Sequence, residues 1–303
     1  PAKVSFPWSM IDKITPRPDA SVKKMLEDAG FTDTESIVTS KNTYVAPFVN
    51  AEEAQYLVIE NAFPNGRPAL ENAGVMFTSR ETVEKVERMK VCTCLNPLHT
   101  ALAVYGCLLG YTKISDEMKD ADLVKLVEII GYKEGLPVVT DPGILSPKKF
   151  IDEVLQIRVP NPFMPDTPQR IACDTSQKLS IRFGETIKEY MASSELDVKS
   201  LKFIPMVQAG WCRYLLGVDD ELNAFTVSPD PMYEELAGKL AGVKVGESCD
   251  VHAVLSPILS DAKIFGVNLY EAGLGEYVES IFAELIAGKG AVRETLKRHL
   301  AEA

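Results

Sequence analysis

The chain has 303 residues, 46% hydrophobic and 25% charged, the balance of a globular protein with length for one large domain or two small ones. Its formal net charge of −11 excludes the basic footprint that a nucleic-acid or anionic-membrane partner demands, so an anionic ligand would need a local cationic pocket inside a repelling field. No apolar run approaches the roughly 20 residues that span a bilayer, and the opening PAKVSFPWSM lacks the pattern of a signal peptide. Six cysteines, at 92, 94, 107, 173, 212 and 249, are too sparse for a disulfide scaffold and read as reduced thiols, with a cytoplasmic location expected.

In chain order, Val4–Phe6, Ser36–Thr39, Tyr56–Glu60 and Gly74–Thr78 are short apolar or β-branched runs bounded by turn residues and read as strands. Ala20–Ala29 places Val22, Met25, Leu26 and Ala29 at helical spacing and stops at Gly30. Pro64-Asn65-Gly66 marks a turn. From Ser79 the period becomes 3.6, predicting helices over Arg80–Lys90, Leu98–Leu109, Asp116–Ile130, Pro147–Leu155 and Gln177–Ala192. Four more are expected over Leu201–Leu216, Pro231–Leu240, Leu274–Ala287 and Ala291–Ala301. The fold class is therefore α+β: a small α/β segment over 1–80, then a large, mainly α-helical domain over 81–303.

No G-x-G-x-x-G follows a strand and no G-x-x-x-x-G-K-[ST] occurs, so the chain lacks the glycine turn that brings backbone N–H groups against a pyrophosphate. A metal site is weakly supported: only His99, His252 and His299 are available, and Cys92-x-Cys94 is one residue shorter than a zinc knuckle. No metal is assigned.

The stretch Lys90-Val-Cys-Thr-Cys-Leu-Asn96-Pro-Leu-His99 runs straight into a helical pattern, and Asn96 and His99 share a face if both lie in its first turn. Removing a hydride from a carbinol carbon requires that the hydroxyl proton also leave. A desolvated lysine can take it, while an amide steadies the developing carbonyl oxygen and an imidazole fixes the hydroxyl. On spacing alone, the same residues also read as an ordinary helix start, with Asn96 as N-cap and Pro97 in the first turn.

This stretch resembles the long-chain mannitol dehydrogenase family, which includes mannitol 2-dehydrogenase, fructuronate reductase and tagaturonate reductase. Three further segments are similar to it. Phe6-Pro-Trp-Ser-Met-Ile-Asp12-Lys13-Ile-Thr-Pro16 matches its F-P-N-S-M-V-D-R-I-T-P signature, and Tyr56-Leu-Val-Ile-Glu60-Asn61-Ala-Phe, with Arg67-Pro68 and Gly74-Val75, matches its W-V-I-E-D-x-F run. Arg170-Ile-Ala-Cys-Asp174-Thr-Ser-Gln-Lys178 matches its R-I-x-x-D-x-S-x-K segment. The resemblance implies Lys90 as general base, Asn96 as donor to the substrate oxygen, His99 as its neighbour, and Arg170 and Lys178 as substrate-pocket cations.

Two positions depart from the pattern. Trp8 stands where the family has asparagine, and Lys90 precedes Asn96 by six residues instead of five, an extra residue that a bulge before the helix would absorb. Asp12 and Lys13 read as a structural ion pair.

Family members carry an N-terminal Rossmann domain ahead of the F-P-N-S signature. The resemblance thus implies NAD or NADP held mainly by an upstream domain, with residues 1–80 completing it and Pro1 an internal start. The expected activity is zinc-independent interconversion of a keto sugar acid and its hydroxy acid, fructuronate and mannonate first, because Arg170, Lys178 and Arg182 could pair with a carboxylate. A mannitol/fructose-type polyol dehydrogenase and a non-catalytic sugar-acid-binding protein are the alternatives. The expected partners are a small sugar acid or polyol and the upstream domain, with neither nucleic acid nor membrane.

Overall fold

The computed structural model describes residues 4–13, 18–49, 51, 55–163 and 166–303, the side chain of Asp12 excepted. The expected strand at Val4–Phe6 is absent: those residues run outside any sheet, with Phe6 88% exposed, and pairing begins with β1 (Ser9–Asp12). The rest of the N-terminal signature's tail, at 14–16, lies outside the described residues. Asp19 caps α1 (Ala20–Asp28), its carboxylate accepting from Ser21 N at 2.8 Å, and α1 buries none of its residues. A two-residue hairpin follows, β2 (Ile37–Val38) against β3 (Tyr44–Val45), shorter than expected because neither strand has a face to bury.

The main sheet has strand order β1-β4-β5. β4 (Tyr56–Glu60) pairs antiparallel with β1, Met10 opposite Val58, and parallel with β5 (Met76–Thr78), Val58 opposite Met76. Gly74, at φ 85°, makes the left-handed turn into β5 that a side chain would oppose. Val58 is fully buried against Val83 and Val86 of α2 (Arg80–Met89), which Ser79 caps through a 3.2 Å bond from Thr82 N.

α2 does not stop at Lys90. A π-turn over Lys90–Cys94 carries it into α3 (Asn96–Leu108), so one helical run extends over Arg80–Leu108. That run holds an 18-residue window apolar enough to cross a membrane by length and composition, a pattern the sequence reading did not register. The fold itself buries 83% of the window. Eleven of the thirteen residues of α3 are buried, which explains why it is apolar all round instead of on one stripe.

The remaining helices begin with α4 (Ile114–Glu117), α5 (Ala121–Glu128), α6 (Pro147–Glu153), α7 (Pro168–Ile171) and α8 (Glu185–Ala192). After them come α9 (Phe203–Tyr214), α10 (Tyr233–Leu240), α11 (Val251–Leu259), α12 (Ala262–Phe265), α13 (Gly275–Leu285) and α14 (Ala291–Ala301). Of these, α4, α5, α7 and α9 pack directly on α3. All twelve residues of α9 are buried, and it packs between α3 and α13. Its start has no side-chain cap of its own; instead the buried Glu134 carboxylate accepts from the backbone N–H groups of Lys202, Phe203 and Ile204 at 2.7, 2.8 and 2.7 Å. The first-turn donors of a helix need such acceptors, and a negative charge there suits the helix dipole. Asp220 does the same for α14, accepting from Val292 N and Arg293 N at 2.8 and 3.1 Å.

Two expected helices are broken. Asp116–Ile130 becomes α4, a turn, α5 and then a π-turn over Ile129–Gly135. Gln177–Ala192 becomes a 3₁₀ turn at Thr175–Gln177, a π-turn at Ser180–Gly184 and only then α8. The second break has a steric setting: a Cβ on Gly184 would lie 2.2 Å from the Phe265 carbonyl oxygen, so the two backbones meet in direct contact.

Candidate active site

Asn96, His99, Arg170, Ile171, Lys178 and Arg182 line one cavity of about 150 Å³. Four elements deliver them. Asn96 and His99 come from the first turn of α3, where the expected N-cap role of Asn96 does not occur: Leu95, at φ −131° and ψ −61°, is the boundary residue, and Asn96 is already helical. Its side chain is therefore not tied up as a cap. Arg170 and Ile171 belong to α7, Lys178 follows the 3₁₀ turn, and Arg182 lies in the π-turn before α8.

Arg170 and Lys178 meet by a route different from the one their eight-residue spacing suggests. A continuous helix would hold them on roughly one face, but α7 ends at Ile171 and Asp174 takes a left-handed conformation at φ 52°. Aspartate tolerates that conformation better than most residues. The loop that precedes α10 holds the turn: Asp174 N donates to Pro229 O at 2.8 Å, and Ser176 N donates to the Asp230 carboxylate at 2.8 Å.

The cations are not equivalent. Arg170 is two-thirds exposed and grips Asp166 with both ends of its fork, Nε lying 2.7 Å from Oδ1. Lys178 Nζ donates to the carbonyls of Cys173 and Ile171, and burial with the nearby Arg182 charge pushes its pKa down. Arg182 is largely buried and donates through Nη1 to Thr100 Oγ1 at 2.7 Å. No carboxylate stands against it among the described residues, and burial lowers its pKa to about 10. Thr100, 1% exposed, donates in turn to the Asn96 carbonyl at 2.9 Å.

Burial also draws His99 down to about 4; Asp166 opposes this, and Arg182, Arg158 and Arg170 add to it. The ring is therefore neutral at physiological pH, able to donate from one nitrogen and accept at the other. NMR titration should show the His99 ring signals unmoving between pH 5.5 and 8. An inflexion near the ordinary histidine value of about 6.5 would refute the neutral assignment.

Lys90 does not line this cavity among the described residues; it sits half-buried at the start of the π-turn, one turn ahead of Asn96. The extra residue of the Lys90–Asn96 spacing coincides with that turn, in which Leu95 N bonds Lys90 O at 3.1 Å. Trp8 is engaged elsewhere: its backbone N–H donates to the Glu60 carboxylate at 3.0 Å and the Arg80 guanidinium stands 4.8 Å over its ring. The Asp12–Lys13 pairing falls on a side chain outside the described residues.

Cys92, Cys94 and His99 form no metal cluster, and no group of three potential ligands occurs among the described residues. Cys94 instead donates weakly to Pro147 O at 3.8 Å, and burial pushes the Cys92 and Cys94 thiols up to about 11 and about 12. Thr100, one buried hydroxyl on an apolar helix, left no mark in the sequence, whereas Arg182, expected as a carboxylate partner, does line the cavity.

Comparison with known proteins decides the family. The mannitol dehydrogenase C-terminal domain matches residues 82–281. The chain belongs to the mannitol dehydrogenase family. Among relatives of this family, a D-mannonate oxidoreductase of Thermotoga maritima is 60% identical over 298 residues, covering 97% of this chain and 55% of the relative. A mannitol 2-dehydrogenase of Aspergillus niger is 31% identical over 272 residues, covering 87% and 51%. The structure of Pseudomonas fluorescens mannitol 2-dehydrogenase, a ternary complex with NAD and D-mannitol, superposes with a TM-score of 0.76 at 26% identity, covering all of this chain and 56% of that one. The chain thus spans about half the length of the mannitol dehydrogenases it matches.

Proposed function

We propose that this chain carries the substrate-binding and proton-transferring part of a nicotinamide-dependent oxidoreductase that interconverts a keto sugar acid and its hydroxy acid, with fructuronate and mannonate as the leading pair. The observation that carries this reading is the single cavity in which an amide, a neutral imidazole and three cations converge. The Thermotoga maritima relative, named for mannonate, supports the acid over a neutral polyol.

In the oxidation direction the substrate's hydroxyl oxygen lies against Asn96 and His99. The Asn96 amide donates to that oxygen as it becomes a carbonyl, and the neutral His99 ring orients it. Lys90, one turn upstream, takes the hydroxyl proton. The nicotinamide, when bound, accepts the hydride. At the far end of the cavity Arg182 faces the carboxylate that a sugar acid has and a polyol lacks, with Arg170 and Lys178 beside it.

The donor set fits a sugar acid but offers no G-x-G-x-x-G turn for a dinucleotide's phosphates. We assign those phosphates to an upstream Rossmann domain that residues 1–80 complete, leaving the choice between NAD and NADP to that domain. The test is turnover by the complete polypeptide of D-mannonate and D-mannitol with NAD and NADP, followed by nicotinamide absorbance. A higher kcat/KM for D-mannonate is expected. Preference for D-mannitol would shift the reading to the polyol alternative, and no turnover of either would end it.

A further inference from the structure

We propose that Arg182 is the residue that selects a carboxylated over a neutral substrate, and that Thr100 is its positioning residue. The inference deepens the reading above and relies on it only for the location of the reacting carbon.

Three cations border the cavity, but two are occupied. Arg170 spends its fork on Asp166, and a guanidinium engaged at both ends by a carboxylate has little left for a second one. Lys178 spends two of its three donors on the carbonyls of Ile171 and Cys173. Arg182 makes one protein hydrogen bond, to Thr100, and faces no protein carboxylate among the described residues. A guanidinium has five N–H donors, so most of its capacity points at nothing in the protein.

A largely buried, unpaired cation is costly to the fold unless an anion meets it. The chain bears that cost beside Asn96 and His99, in the cavity a substrate would enter. A planar carboxylate is the group whose geometry and charge match the free side of the fork.

The hydrogen-bond direction explains why the fork is aimed. Thr100 Oγ1 has one proton and gives it to the Asn96 carbonyl at 2.9 Å, so toward Arg182 it can only accept. Nη1 is thereby pinned to the same turn of α3 that carries the Asn96 amide and the His99 ring. The distance between the carboxylate-binding fork and the oxyanion donor is set by one hydroxyl.

The test uses the full polypeptide with D-mannonate and D-mannitol as probes, measuring binding by calorimetry and turnover by nicotinamide absorbance. For Arg182→Gln, D-mannonate binding and kcat/KM should fall about a hundredfold while the values for D-mannitol stay within about twofold. Arg182→Lys keeps the charge without the fork and should lose about tenfold; it decides the matter if the glutamine variant does not fold. Thr100→Val should raise KM for D-mannonate several-fold with kcat nearly unchanged, a split that general loosening of α3 would not produce.

Equal losses for both probes, a D-mannonate preference that survives in Arg182→Gln, or a wild type that does not bind D-mannonate would each overturn the proposal. Arg182-dependent binding of D-mannonate without its oxidation would uphold carboxylate selection while removing the hydride-transfer reading.

Discussion

Lys90→Ala is expected to lower kcat about 10²–10⁴-fold, the range for losing a general acid–base group. KM for the sugar acid should change far less, because Arg170, Lys178 and Arg182 remain around the cavity. Lys90→Arg should not restore the rate, since a guanidinium does not give up its proton in the working pH range. Stopped-flow traces separating hydride transfer from product release would place the loss in the chemical step. Near-normal kcat in Lys90→Ala would remove the lysine from the mechanism and leave His99 as the next group to test.

The second large effect concerns stability and lies away from the cavity. Glu117 is fully buried, neither of its carboxyl oxygens has a hydrogen-bond partner among the described residues, and its carboxyl packs so closely on α3 that a Cβ on Gly106 would lie 2.1 Å from Oε1. Burial, with the Asp120 charge adding to it, raises its pKa to about 9; the Cys107 thiol is the other titratable group that feels it.

The sign follows from linkage. The unfolded chain releases this proton near the ordinary glutamate value while the folded chain keeps it, so the group's contribution is complete below about pH 4.5 and is lost progressively up to about pH 9. Within that window the slope is about 1.4 kcal/mol per pH unit from this residue. Urea denaturation at a series of pH values should show wild-type stability falling across the window and Glu117→Gln falling less steeply. Parallel profiles for the two proteins would mean that the carboxyl ionises freely in the folded state.

Much of the helical scaffold was legible because period 3.6 over ten or more residues is a strong signal: α2, α3, α9 and α14 lie within two residues of where the pattern put them. α11 went unread because Val251–Leu259 is apolar nearly throughout and holds Pro257 in its interior, which argues against a helix on local grounds. The expected strand at Val4–Phe6 failed for the opposite reason: β-favouring residues form a strand only when an adjacent edge takes their hydrogen bonds.

At the site, the family resemblance drew attention to Asn96, His99, Arg170 and Lys178, and the fold brings all four to one cavity. The left-handed Asp174 that lets the last two converge had no signature, since any loop aspartate looks the same in sequence. Glu117 and Glu134 were invisible as well. An acidic residue inside a helical pattern reads as a solvent-facing position, and only the packed structure shows one beneath a glycine and the other closing the start of α9.

The π-turn at Lys90–Cys94 has a consequence for comparing chains that differ by one residue there. In a regular α-helix an inserted residue rotates everything ahead of it by about 100°, which would swing Lys90 around the helix axis relative to Asn96. A π-turn accommodates the added residue within a single wider turn, so the phase on either side is kept. By that argument a lysine six positions before the asparagine, on a π-turn, is expected to sit close in phase to a lysine five positions before it on an unbroken helix, apart from the non-helical Leu95 between the π-turn and α3. Deleting any one residue between Val91 and Leu95 should therefore collapse the widened turn to an ordinary one without disturbing how α3 seats in the core.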